Sequence, residues 1–104
     1  MNAVPQAAID LAEQSKSLGP ITELEQKVQA NPADHQARFD LALAFNSKGQ
    51  RAEALDHLIE IVRRDRKWND DGARKQLVQF FDAWGPTDEA TVAGRKRLSS
   101  ILFA

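Results

Sequence analysis

Between Asn31 and Asp65 the chain carries two apolar stripes at helical spacing with a single glycine between them, and neither stripe can be buried by its own helix. Leu41, Ala42 and Phe45 recur at i, i+1 and i+4, which puts them on one face of a helix that Asp34 can cap and Gly49 can end. Ala54, Leu55, Leu58, Ile61 and Val62 then recur at i, i+1, i+4, i+7 and i+8, the stripe of a second helix. Two such helices must pack on each other and then on further helices. That requirement is the logic of a helical repeat.

The flanking segments read as partial copies. Residues 1–18 hold a weak helical pattern in Ala8, Leu11 and Leu18, with Pro5 suited to a first turn. Gly19-Pro20 stops one helix and starts the next, which runs to about Ala30 with Ile21, Leu24 and Val28 on one face, and Asn31-Pro32 closes it. Arg66 to Trp68 form a link in which Trp68 is expected to plug the junction with the next helix. Asn69 is expected to cap that helix, Asp70 and Asp71 to fill its first turn, and Ala73, Leu77, Phe80, Phe81 and Trp84 to form its buried face. Gly85-Pro86 repeats the stop and start, and Thr87, Asp88 and Glu89 open a last helix running to about Leu102. The expected fold is all-α, a right-handed array of about six antiparallel helices in three pairs. Residues 1–30 form a degenerate first pair, 31–68 the best-formed repeat and 69–104 a divergent last one, all in one structural domain.

Self-comparison makes the repeat explicit. At a shift of 36, Leu41, Phe45, Gly49, Ala54 and Val62 correspond to Leu77, Phe81, Gly85, Ala90 and Leu98. An alanine at the crossing lets the second helix approach the first closely, and the bulky partners fill the space around it. With Leu41, Ala42, Phe45 and Ala54 and the prolines before each unit at its signature positions, the pattern resembles the tetratricopeptide repeat. It departs from that motif at Arg38 for the common tryptophan, Arg66 for the second proline and Gly94 for a large apolar residue. More narrowly, HQARFDLA, the run from Leu58 to Leu77 and the closing RLSSILF resemble the C-terminal region of bacterial thioredoxin-like co-chaperones, the chaperedoxins, over roughly residues 31–103. That resemblance implies an upstream thioredoxin-fold domain, unfolded or oxidised client proteins, and a GroEL-type chaperonin as partner, with the C-terminal helix implicated in docking.

Independent chemistry is sparse. The chain has no cysteine, so it contains no thiolate nucleophile, disulfide or cysteine metal site. Its 14 basic and 15 acidic residues give a net charge of −1, which provides no global attraction to nucleic acid or to an anionic membrane. No apolar run approaches the ~20 residues of a membrane span, and the N-terminus lacks the pattern of a secretory signal. A cytoplasmic location is expected. His35 and His57 stand apart from any ligand motif, Asn69-Asp70-Asp71-Gly72 lacks the alternating carboxylates and distal glutamate of a calcium loop, and the glycines form no phosphate cradle. No catalytic residue, cofactor or metal is expected.

Candidate contact residues remain. Phe39 lies off its helix's main stripe on the side that faces the concave groove of a repeat array, together with Gln36, Leu43, Asn46, Lys75 and Gln79. Phe39 and Leu43 do not fit a carboxylate-clamp pattern, so recognition of an acidic C-terminal tail is not expected. Arg63, Arg64, Arg66 and Lys67, and separately Arg95, Lys96 and Arg97, are basic clusters. Cations favour helix C-termini, which accounts for them without a ligand; the competing reading is contact with acidic surface on a client or chaperone. Arrays of stacked helices ordinarily end in a polar face, yet Leu98, Ile101, Leu102 and Phe103 make an apolar ending that either packs back on the third repeat or anchors a partner. The function expected is that of a non-catalytic interaction module of a thioredoxin-like co-chaperone. The alternative is a scaffold repeat assembling an unrelated complex.

Overall fold

The structure, a computed structural model, describes residues 21–103; the expected helix over residues 1–18 lies outside the described residues. Five helices and no strand occupy them: α1 (Ile21–Ala30), α2 (His35–Ser47), α3 (Arg51–Arg64), α4 (Trp68–Trp84) and α5 (Glu89–Leu102). Each packs on its chain neighbour, and α5 also packs on α3. Short connections return the chain after every helix, so α2 with α3 and α4 with α5 form two successive hairpins.

Local chemistry sets most of the boundaries. The Asp34 carboxylate accepts from the Ala37 amide at 3.1 Å and Asp88 accepts from the Ala90 amide at 2.9 Å, satisfying first-turn donors of α2 and α5. At the end of α2, Gly49 adopts φ +77°, its amide reaches the Asn46 carbonyl at 3.0 Å and the Gln50 amide reaches the Phe45 carbonyl at 2.9 Å. That pair of bonds is a Schellman ending, and its left-handed residue is readily supplied only by glycine. Gly85, the same position one repeat later, has φ +96°.

The start of α4 departs from expectation. Asn69, Asp70 and Asp71 have φ of +51°, +55° and +61°, and no side chain caps the helix, whose regular right-handed part begins at Gly72. Asn69 therefore does not act as the N-cap. Asparagine and aspartate are the non-glycine residues that enter the left-handed region at least cost, so the acidic turn accommodates an abrupt change of direction. That change follows from Trp68, whose ring packs 5.6 Å from Phe39 and 6.0 Å from His35, centroid to centroid, as the expected plug.

The main core draws on α2 through α5. Ala42, Leu58, Ile61, Leu77 and Phe80 are fully buried, with Leu55, Ile59, Val62, Ala73, Phe81 and Leu98 around them. A smaller cluster of Leu24, Ala37 and Leu41 holds α1, and Phe45 packs against both clusters. The three departures from the repeat motif each have a structural account. Arg38 replaces an indole by reaching back to donate to the Pro32 carbonyl at 2.7 Å, with its other arm 3.4 Å from His57 Nδ1. Arg66 donates to the Ile101 carbonyl at 3.2 Å, tying the end of α3 to the last turn of α5. Gly94 is where α5 crosses closest: a Cβ there would lie 2.6 Å from the Phe81 ring and 2.8 Å from Leu55.

His57 carries a pH dependence. Its ring stacks on Phe45 at 5.8 Å, and burial, reinforced by the Arg38 charge and opposed by Asp56 and Glu25, holds its pKa below the ordinary 6.5. The neutral ring is favoured in the folded state. Below pH 6.5 the unfolded chain takes up a proton that the folded chain resists, so this contribution is complete above 6.5 and declines as pH falls beneath it. Glu60 behaves oppositely in origin: the Arg63 hydrogen bond holds its carboxyl below 4.5, so its contribution is lost only in stronger acid. Urea melts between pH 7 and about 5.5 should show stability decreasing, and the His57→Gln chain should show a flatter profile.

Candidate protein-binding surface

Two tryptophans at opposite ends of α4 tie it to α2. While Trp68 covers Phe39 and His35, Trp84 donates from Nε1 to Asn46 Oδ1 at 2.7 Å and stacks on Phe80 at 5.1 Å. Arg51 lies 5.9 Å above the Trp84 ring and pairs with Asp88, so one guanidinium at the start of α3 holds both the end of α4 and the cap of α5. The Trp84→Phe chain keeps the stacking but leaves Asn46 without its donor, and a loss of about 1 kcal/mol is expected in a urea melt.

This packing occupies much of the expected concave groove. Leu43 is 5% exposed and belongs to the main core, Phe39 is half-buried beneath Trp68, and Asn46 is held by Trp84. Gln79 accepts from Gln76 Nε2 at 3.0 Å. Gln36 and Lys75 are exposed, the first bonded to Asp40 and the second to Asp70. The six residues therefore do not form one continuous open surface; the large side chains among them are in contact with the protein's own helices.

The C-terminal candidates divide by depth. Leu98 is core, at 9% exposure, Ile101 and Leu102 are half-buried against it, and Phe103 is 83% exposed. Within this one stripe, Leu98 packs back on the protein's own core, whereas Phe103 is left uncovered by any described helix. The basic run divides too: Arg97 bonds Asp56 on α3 at 2.6 Å, Arg95 lies 5.9 Å over the Phe81 ring, and Lys96 is exposed. In the other basic cluster, Arg63 makes a two-pronged contact with Glu60, and Arg64 approaches the same carboxylate at 3.5 Å.

Between α4 and α5 lies a cleft of about 230 Å³ whose walls include Val78, Asp82, Arg95, Leu98, Leu102 and Phe103. Val78 is 44% exposed, and Val92, one turn before Arg95 on α5, is 52% exposed. Val78, Asp82 and Val92 were missed by periodicity because they lie off the main stripes. For Val78 the signal is the repeat itself, since it stands at a shift of 36 from Ala42, which is fully buried; Val92 stands at the same shift from the exposed Asp56, and the repeat gives no signal for it.

A larger depression between the starts of α3 and α5, about 770 Å³, is more polar in its walls: it is bordered by Arg51, Glu53, Asp56, Asp88, Glu89 and Arg97, among which the Arg51–Asp88 and Arg97–Asp56 ion pairs are already made within the chain. Among the described residues no group of three or more potential metal ligands is assembled, and no helix is long and apolar enough to cross a membrane.

A family model described as a tetratricopeptide repeat matches residues 14–103. No curated protein and no solved structure matches the chain.

Proposed function

The chain belongs to the tetratricopeptide repeat family, whose domains serve as protein–protein interaction modules, and from that premise we propose that it is the non-catalytic interaction module of a cytoplasmic thioredoxin-like co-chaperone. In this reading it engages unfolded or oxidised clients and a GroEL-type chaperonin, in a longer protein that also carries a thioredoxin-fold domain. The observation that carries the proposal is an uncovered apolar surface on the last described helix pair: Phe103 is 83% exposed and lines one cleft together with the basic side chain Arg95. The likeness of the Leu58 to Leu77 run and of RLSSILF to chaperedoxin sequences supports the same assignment.

Phe103 supplies the cleanest test, because its exposure allows substitution without loss of core. Co-sedimentation with the purified chaperonin should be abolished or weakened at least tenfold by Phe103→Asp, with the thermal midpoint unchanged. Undiminished binding would remove the ending from the mechanism. Capture of one stoichiometric partner, with no chaperonin and no unfolded clients, would establish the scaffold reading in its place.

A further inference from the structure

The molecule contains its own template for what covers its open end. At the 36-residue shift, Ala42, Asn46, Ile59 and Val62 on α2 and α3 correspond to Val78, Asp82, Arg95 and Leu98 on α4 and α5. The first set is covered by a helix: Ala42, Ile59 and Val62 are at most 5% exposed in one cluster with Ala73, Leu77 and Phe80 of α4, and Asn46 accepts the Trp84 indole N–H. The second set lines the cleft, with Val78 44% exposed. We infer that the α4/α5 cleft receives an amphipathic α-helix from a partner protein, continuing the stacking by which α4 covers α2 and α3. The inference rests on the interaction-module reading and specifies the partner's chemistry.

The substitutions between the two sets specify that helix. Val78 and Leu98 keep the apolar floor, and Leu102 and Phe103 extend it where repeat two has Arg66 and Lys67. An incoming apolar stripe at i, i+3, i+4 and i+7 matches this floor. Ile59 becomes Arg95, held over the Phe81 ring at the cleft wall, so the position that meets α4 through an aliphatic side chain in repeat two now calls for a carboxylate. Asn46 becomes Asp82, still an acceptor but now charged, which favours a cationic donor where α4 supplies an indole. Both walls are helices, and the described residues include no strand edge on which an extended peptide could add.

The test uses a designed helical peptide carrying leucines at i, i+3, i+4 and i+7, a glutamate placed for Arg95 and an arginine placed for Asp82, titrated into the isotope-labelled full chain. Amide shifts should centre on Val78, Asp82, Arg95 and Leu98. Val78→Asp and Arg95→Glu, both at exposed positions, should each weaken binding at least tenfold with unchanged helix content, and replacing the peptide's glutamate by arginine should restore affinity for Arg95→Glu. Absence of binding, shifts centred on Phe39 and Trp68 instead, or no charge-swap rescue would overturn the inference. Concentration-dependent self-association abolished by Val78→Asp would also overturn it, by making a second copy the occupant. Chaperonin capture measured in parallel separates the two proposals: capture without peptide binding refutes the cleft assignment alone, and peptide binding without capture supports the cleft while refuting the chaperonin partner.

Discussion

Replacing Gly94 by leucine, the kind of large apolar residue the repeat motif usually carries there, is expected to destabilise the protein by about 3 kcal/mol or more. The crossing of α5 over α3 and α4 leaves no room: a Cβ alone would come within 2.6 Å of the Phe81 ring and 2.8 Å of a Leu55 methyl. Leu55 can move its terminal methyl, but Phe81 is 4% exposed and wedged beside Trp84 at 6.2 Å. The space a motif side chain would fill is taken by those two residues. Gly94→Ala separates the contributions. Alanine should recover roughly 1 kcal/mol of helix propensity while introducing the clash, so its net loss should be clearly smaller than leucine's. Urea melts of the three chains check this, and a leucine variant as stable as the parent would show that α5 can shift to accommodate it.

Phe80→Ala is expected to cost about 4 kcal/mol. Phe80 is fully buried at the centre of the main core, and its ring stacks on Trp84. Truncation removes burial, leaves a cavity among helices from both hairpins, and takes away the surface that orients Trp84 toward Asn46. A domain of this size has a total stability on the order of 5–15 kcal/mol, so the loss is a large share of it. A thermal midpoint lower by about 15 °C or more should result. Phe103→Ala is the control: the same chemistry at an 83% exposed site should leave the midpoint nearly unchanged.

How far the sequence could be read depended on how local the deciding interaction was. Asp34 and Asp88 cap helices through bonds to amides within three residues, and the end of α5 at Leu102 matches the end of its apolar pattern. Trp68 was legible as a plug because an indole in a short polar link has few other places to be buried. Asn69 was misread as a cap because the same side chain that caps helices also tolerates left-handed backbone, and only the anchoring of Trp68 on Phe39 decides between the two. Arg95, Lys96 and Arg97 looked like one patch. The helix spaces them around its circumference, so Arg97 turns to Asp56 while Arg95 turns to the cleft.

The amino-acid sequence by itself determined where the helices other than the start of α4 begin and end, which stripe each must bury and that the second hairpin repeats the first, because capping, glycine stops and apolar spacing act over one or two turns. Only the tertiary structure decided which apolar residues remain uncovered. Ala42 and Val78 occupy equivalent positions, yet one is fully buried and the other 44% exposed. The difference is in neither side chain: burial depends on whether another helix lies above, and α4 covers the first site while no described helix covers the second.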